Sequence, residues 1–321
     1  MIRDKEISMG ALRFLTLCLM ALTTPCTMRA AENYEVVHGW PKLPAGYAFG
    51  QVSGIGVDSH NHVFVFHRGE PPIFCIDGPT GKVLASWGTG LFSKPHGLAV
   101  DSRDNVWVTD IELHQIFKFT HDGKILMTVG VKGVAGLDGK HFNQPTDVAV
   151  APSGEFYVSD GYGNSRVAKF SSEGKFLFDW GRKGDKPGEF NTPHGICLDG
   201  NGRVYVADRG NARVQIFDPG GKFLDQWRGP EIGQPWDVFV GRDGGVYVMD
   251  GGDMNPKPPD RGRIIILNQQ GKVLDEFGSF GSYDGQFYWG HALAVAPGGD
   301  VYAVDVNTGM RAQKFARKQA Q

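Results

Sequence analysis

Residues 194–209 read HGICLDGNGRVYVADR, and residues 96–110 read HGLAVDSRDNVWVTD. Each begins with a histidine, a glycine and a short apolar run ending at Asp. A polar turn follows, and then a second alternating apolar run that closes on another Asp. Alternation of β-branched and aromatic residues about such a turn is the pattern of two hairpin-linked strands. The pattern occurs six times. Its openings are SGIGVD at 53, HGLAVD at 96, DVAVAP at 147, HGICLD at 194, DVFVGR at 237 and HALAVA at 291. The second strands are VFVFH, VWVTD, FYVSD, VYVAD, VYVMD and VYAVD, and in five repeats a last strand follows a Gly-Lys turn, as in GKFLFDWG.

Spacings between openings are 43, 51, 47, 43 and 54 residues, the length of a four-stranded propeller blade. No segment of the repeats sustains a 3.6-residue apolar period, so the expected class is all-β. The sixth repeat stops at QKFARKQAQ without a fourth strand, whereas YEVVHGWPKLP (34–44) resembles the fourth strands and precedes the first opening. Pairing that segment into the last blade closes a six-bladed ring and removes its exposed edges. Residues 32–321 are thus expected to form one propeller domain. Asp110, Asp160, Asp208, Asp250 and Asp305 fall at one repeat position and are expected to bond turn backbone.

The bulk composition fits a globular chain of 321 residues with 41% apolar content. Its formal net charge of −2 lacks the basic footprint of a nucleic-acid binder. Residues 1–31 read as a signal peptide, because basic Arg3, Lys5 and Arg13 lead into or flank the apolar run FLTLCLMALTT (14–24), which small residues follow. That run is shorter than the roughly 20 apolar residues of a spanning helix. The expected location is secreted or periplasmic, with no membrane attachment after cleavage. Cleavage leaves Cys75 and Cys197, both inside apolar strands and three repeats apart, which read as buried thiols rather than a disulfide.

The first strand of each blade lines a propeller's channel, so its opening residue stands at the channel mouth. His96, His194 and His291 open blades two, four and six; alternate blades of six are related by about 120°, which lets three imidazoles converge on the axis. Blades one, three and five are read as carrying Ser53, Asp147 and Asp237 at that position. Three imidazoles with an open fourth position suit a catalytic zinc ion. The second strand returns to the same mouth, which brings Arg68, Tyr162 and Arg209 toward the histidines. Two guanidiniums offer bidentate recognition of a carboxylate, and the tyrosine is a candidate general base.

GNSRVAKF (163–170) and GNARVQIF (210–217), with the preceding VSDGY and VADR, resemble NHL repeats. From about Val65 onward the chain resembles the peptidyl-α-hydroxyglycine α-amidating lyase family (peptidylamidoglycolate lyase). The resemblance is densest in PHGLAVDSRDNVWVTDIELHQIFKF, HFNQPTDVAVAPSGEFYVSDGYGNSR and the PHGICLD and VADRGNARVQIF stretches. It implies a six-bladed propeller whose zinc is held by His96, His194 and His291, with Tyr162, Arg68 and Arg209 as catalytic residues. The implied reaction cleaves a peptide ending in α-hydroxyglycine into an amide and glyoxylate. The implied partner is therefore a small carboxylated substrate or a peptide C-terminus. The family's structural calcium would contact the backbone carbonyls of Ile55 and Leu98, but Ala292 stands where the family has an acidic residue. The family's cysteine pairs are absent, and Trp289-Gly290 replaces Met-Pro before the third histidine, where it is expected to reshape the pocket wall. Two other readings remain compatible with the residues. One is a zinc propeller hydrolysing a small carboxylated ester or lactone; the other is a non-catalytic NHL scaffold. Oligomeric state is not legible.

Overall fold

Repeats one to five each fold into one antiparallel sheet of four strands paired in chain order, and the sixth supplies three strands of another. The computed structural model describes residues 33–253 and 261–318, so the leader at 1–31 lies outside the described residues. Blade four illustrates the plan with strands Pro193–Leu198, Val204–Asp208, Arg213–Phe217 and Phe223–Arg228. The six first strands contact one another around the ring. Six apolar clusters follow the same order, one at each interface. The cluster between blades three and four, for example, holds Tyr157, Phe190, Ile196 and Phe217. The architecture is an all-β six-bladed propeller, and among the described residues a single 3-10 turn, Arg209–Asn211, breaks the run of strands. Among the described residues no helix is long and apolar enough to cross a membrane.

The last blade takes its fourth strand from the start of the described residues. Tyr34–Val36 pairs antiparallel with Arg311–Arg317, Tyr34 facing Arg317 and Val36 facing Phe315. This strand is three residues long, much shorter than the 34–44 segment that the sequence suggests. Beyond it the chain turns across the seam between blades six and one. There Trp40 donates its indole N–H to the Gly78 carbonyl and packs on Tyr302.

The repeated aspartates act between strands. Each ends a second strand, is fully buried, and accepts backbone N–H groups from the segment entering its own blade. Asp110 accepts from Ser93 and Lys94, Asp160 from Asn143, Asp208 from Asn191, Asp250 from Gln234, and Asp305 from Tyr288 and Trp289. In blades three to six an arginine opens the third strand directly across from the carboxylate: Asp160 faces Arg166, Asp208 faces Arg213, Asp250 faces Arg263 and Asp305 faces Arg311. The Asp208–Arg213 pair, at 2.7 Å, is wholly buried. Blade one substitutes His67, whose Nδ1 accepts from Gly50 while Nε2 donates to the Pro71 carbonyl. Burial holds this imidazole below its usual range, which suits a neutral ring in that double role.

Register around the channel corrects one sequence expectation. Pro95-His96-Gly97 aligns with Pro145-Thr146-Asp147 and with Pro235-Trp236-Asp237. The residues matching the histidines in blades three and five are therefore Thr146 and Trp236, and Asp147 and Asp237 lie one position further down the strand; Ser53 keeps the assigned place. The shift explains why glycine follows the first two histidines. A Cβ on Gly97 would stand 2.5 Å from the Asp147 carboxylate, and one on Gly195 would stand 2.2 Å from that of Asp237. Each glycine makes room for the carboxylate of the next blade. The third histidine precedes Ala292, and the next blade answers with Gly54. Ile55 and Leu98 line the channel with these two carboxylates, beneath the histidines.

Asp147 and Asp237 are buried in one channel, and each is pushed above the usual carboxylate range, first by burial; the charge of Asp237 adds to the effect on Asp147. Asp237 rises from 3.8 to about 7. A carboxyl that holds its proton more tightly folded than unfolded contributes stability that is complete below its unfolded value and is lost as pH rises through its folded value. Asp237→Asn keeps an acceptor for Leu293 N–H and removes the charge. Thermal melts should therefore agree with wild type at pH 4 and exceed it at pH 8 by about 2 °C or more. Asp208→Ala strands the buried Arg213 guanidinium and should cost about 3–5 kcal/mol in urea unfolding.

Candidate metal centre and substrate cavity

The anchored entry segments deliver the three histidines to the axis. Their ring centroids form a nearly equilateral triangle with sides of 4.8, 4.7 and 4.8 Å, and all three side chains are buried. His96 Nδ1 donates to the Thr146 carbonyl at 2.7 Å and His194 Nδ1 to the Trp236 carbonyl at 2.6 Å. In each case the acceptor is the residue matching the histidine in the next blade. Because a carbonyl can only accept, these contacts fix the Nδ1–H tautomer and leave Nε2 with a free lone pair. The Ser53 carbonyl faces His291 in the same relation. It falls outside hydrogen-bond geometry, so this Nδ1 is buried without a partner.

Burial keeps all three rings neutral. His96 is held down to about 3, by burial first and then by the Arg68 charge. His194 and His291 lie well below the usual range from burial, followed by Arg209 for His194 and by His96 and Arg68 for His291. Neutral, converging imidazoles whose donor atoms lie within 4.8 Å of one another can hold a metal ion.

The three residues from the ends of the second strands meet the histidines on the same side. The Tyr162 hydroxyl stands 3.0 Å from His96 Nε2 and 3.1 Å from His194 Nε2. Its loop approaches that closely because Gly161 lacks a side chain, a Cβ there falling 1.8 Å from the Pro193 oxygen. Arg209 donates from Nη1 to the Tyr162 hydroxyl at 3.3 Å and lies over the Trp236 ring, 4.5 Å from its centroid. Arg68 is held by Nε to the Pro95 carbonyl at 3.1 Å and by Nη1 to Gln51 Oε1. Arg68, Tyr162 and Arg209 thus stand on one side of the three histidines.

Above them opens a cavity of about 390 Å³ whose wall includes Arg68, Lys94, Tyr162, Arg209, Trp236 and Asn307. Three of these escape sequence reasoning. Trp236 occupies the histidine position of blade five and makes T-shaped contacts with His194 and His291; aligning Gln-Pro-Trp-Asp with Lys-Pro-His-Gly would have found it. Asn307 accepts from Gln51 and so braces the Arg68 support. Lys94, paired with Glu112 at 3.3 Å, adds a third cation at the rim. Trp289, expected in the pocket wall, packs instead against Tyr288 and the core between blades five and six. Cys75 and Cys197 are buried free thiols.

The NHL repeat family matches residues 92–119, 142–170 and 190–217. Peptidyl-glycine alpha-amidating monooxygenase B of Xenopus laevis is 36% identical over 306 residues, covering 84% of this chain and 34% of its own. The chain therefore spans about a third of that relative. The Caenorhabditis elegans protein named "Probable peptidyl-alpha-hydroxyglycine alpha-amidating lyase pgal-1" is 38% identical over 256 residues, covering 65% of this chain and 73% of its own. Among solved structures, a streptogramin B lyase shares the fold at a TM-score of 0.63 over 90% of this chain and 99% of its own; at 14% identity that likeness carries the fold alone. Sequence similarity of this extent, carried by a propeller with three axial histidines, makes the chain a member of the peptidyl-α-hydroxyglycine α-amidating lyase family.

Proposed function

We propose that the protein is a zinc-dependent carbon–nitrogen lyase that cleaves a peptidyl-α-hydroxyglycine, or a related carbinolamide, to an amide and glyoxylate. The observation that carries this reading is the Tyr162 hydroxyl, 3.0 and 3.1 Å from two of the three axial imidazoles and hydrogen-bonded by Arg209. His96, His194 and His291 would hold the ion, which when bound supplies Lewis acidity toward the substrate hydroxyl. Tyr162 takes the proton of that hydroxyl. The oxygen's electron pair closes the aldehyde carbonyl as the C–N bond breaks, and the amide nitrogen leaves with the bonding pair and receives the proton that Tyr162 accepted. Arg68 and Arg209 bind the carboxylate retained in glyoxylate, and the indole face of Trp236 shields that part of the site from water. The same reading takes residues 1–31 as an export leader and the substrate as a small carboxylated molecule or a peptide C-terminus.

Protein purified without chelators should carry axial zinc that His194→Ala loses, and the loaded wild type should release glyoxylate from a peptidyl-α-hydroxyglycine. Zinc-loaded protein that releases none would overturn the reading. Tyr162→Phe should lower kcat by about 10²–10⁴-fold with its metal content unchanged. Arg68→Gln should raise KM by about 10- to 100-fold for the free carboxylate and leave it unchanged for the methyl ester.

A further inference from the structure

A second group of metal-ligand side chains lies at the other end of the first strand of blade one, away from the axial histidines. Asp58 follows that strand, His62 opens the second, Cys75 sits within the third, and His121 reaches over from the outer turn of blade two. Donor atoms of His62, Cys75 and His121 all lie within 4.8 Å of one another. Asp58 Oδ2 is 2.8 Å from His62 Nδ1 and 3.0 Å from His121 Nε2, and those two nitrogens are 3.3 Å apart. Two nitrogens each about 2.0 Å from a tetrahedral ion stand roughly 3.3 Å from one another. The other oxygen, Oδ1, is committed to the turn, accepting from the backbone N–H groups of His60 and His62. Oδ2 is the oxygen that faces the cluster.

Two other blades keep an aspartate at the position of Asp58. In blade two the matching Asp101 is paired with Lys118 at 3.6 Å, and in blade four Asp199 is paired with Arg203 at 2.6 Å. Lys118 lies across from Trp107 as Cys75 lies across from Phe64. Arg203 is the fourth residue after its aspartate, as His62 is after Asp58. Each of those blades carries one cation, at one or the other of these two places, whereas blade one carries a ligand side chain at both and keeps the buried carboxylate. Among the described residues the only ionic partners of Asp58 are the two imidazoles. We propose that Asp58, His62, Cys75 and His121 form a second site, for a divalent transition metal of the zinc class, which supplies the charge that lysine or arginine supplies elsewhere and clips blade one to blade two. One thiolate, two imidazoles and a carboxylate are a donor set of that softness. The inference does not depend on the activity proposed for the axial site.

Cobalt distinguishes the two sites, because only this one contains sulfur. Loading the full chain with Co²⁺ should give a near-ultraviolet thiolate-to-metal charge-transfer band. The band should persist in His194→Ala and be lost in Cys75→Ser. His121→Ala alters a partly exposed turn residue (42% accessible side chain), so its fold should be retained, and it should raise the Co²⁺ needed for half-saturation by about tenfold or more. A wild-type protein with no thiolate band overturns the proposal, leaving a carboxylate bonded by two imidazoles. A band that survives Cys75→Ser, or a titration that His121→Ala leaves unchanged, overturns it equally.

Discussion

The buried aspartate at the end of the second strand is the contact on which the rest of the molecule depends. It reaches back to the backbone two or three residues ahead of the channel position, so it fixes where each first strand enters the ring. Burying a carboxylate is costly unless it is hydrogen-bonded and paired. The chain meets that requirement locally, with a cross-strand arginine in four blades and with Gln115 across from Asp110 in blade two. Burial still pushes Asp160 and Asp208 above the usual range, against the opposing hydrogen bonds and arginine charges. The axial triangle is thus set by five carboxylates and one neutral histidine that never touch it.

Alternation around the ring converts a sixfold scaffold into a threefold site. Histidine followed by glycine or alanine occupies every second blade, and between them stand Ser-Gly, Thr-Asp and Trp-Asp. His96 and His194 each lean on the backbone of the blade after them, so the carbonyls of Thr146 and Trp236 orient those two rings. The intervening side chains are free to do other work: Trp236 becomes a wall of the cavity, and Thr146 donates its hydroxyl to the Pro193 carbonyl beside His194. A ring with histidine in all six places would crowd the axis with like rings.

Much of this was legible because repetition exposes its own exceptions. Six similar openings reveal the blades, and three histidines at two-blade intervals reveal the axis. Arg68, Tyr162 and Arg209 stand out as departures just past the second strand. Counting from the residue directly ahead of the apolar run puts Asp147 and Asp237 one position too far down the strand; the proline at 145 and 235 is the better landmark, and it fixes Thr146 and Trp236. Trp289 misled because proximity in sequence to His291 says nothing about which way a ring turns, and apolar burial between two blades drew it away. The cluster around Asp58 was invisible for a different reason. Its ligands come from three strands of one blade and a turn of the next, and no periodicity in a single chain reports the register between neighbouring blades.

The pairing of Tyr34–Val36 with Arg311–Arg317 also has a temporal side. A ribosome makes the first of these strands before any blade exists and the second only after five blades are complete. Until then the sheet of blade six lacks an edge, and the seam holding Trp40 and Tyr302 cannot fill. Neighbouring blades can assemble one upon another as they emerge, since their contacts are local, whereas closure joins residues most distant in the chain and waits for both. During synthesis, therefore, the ring cannot close before its last strand has emerged. The axial triangle, whose third corner is His291 in that last blade, is completed by the same late event.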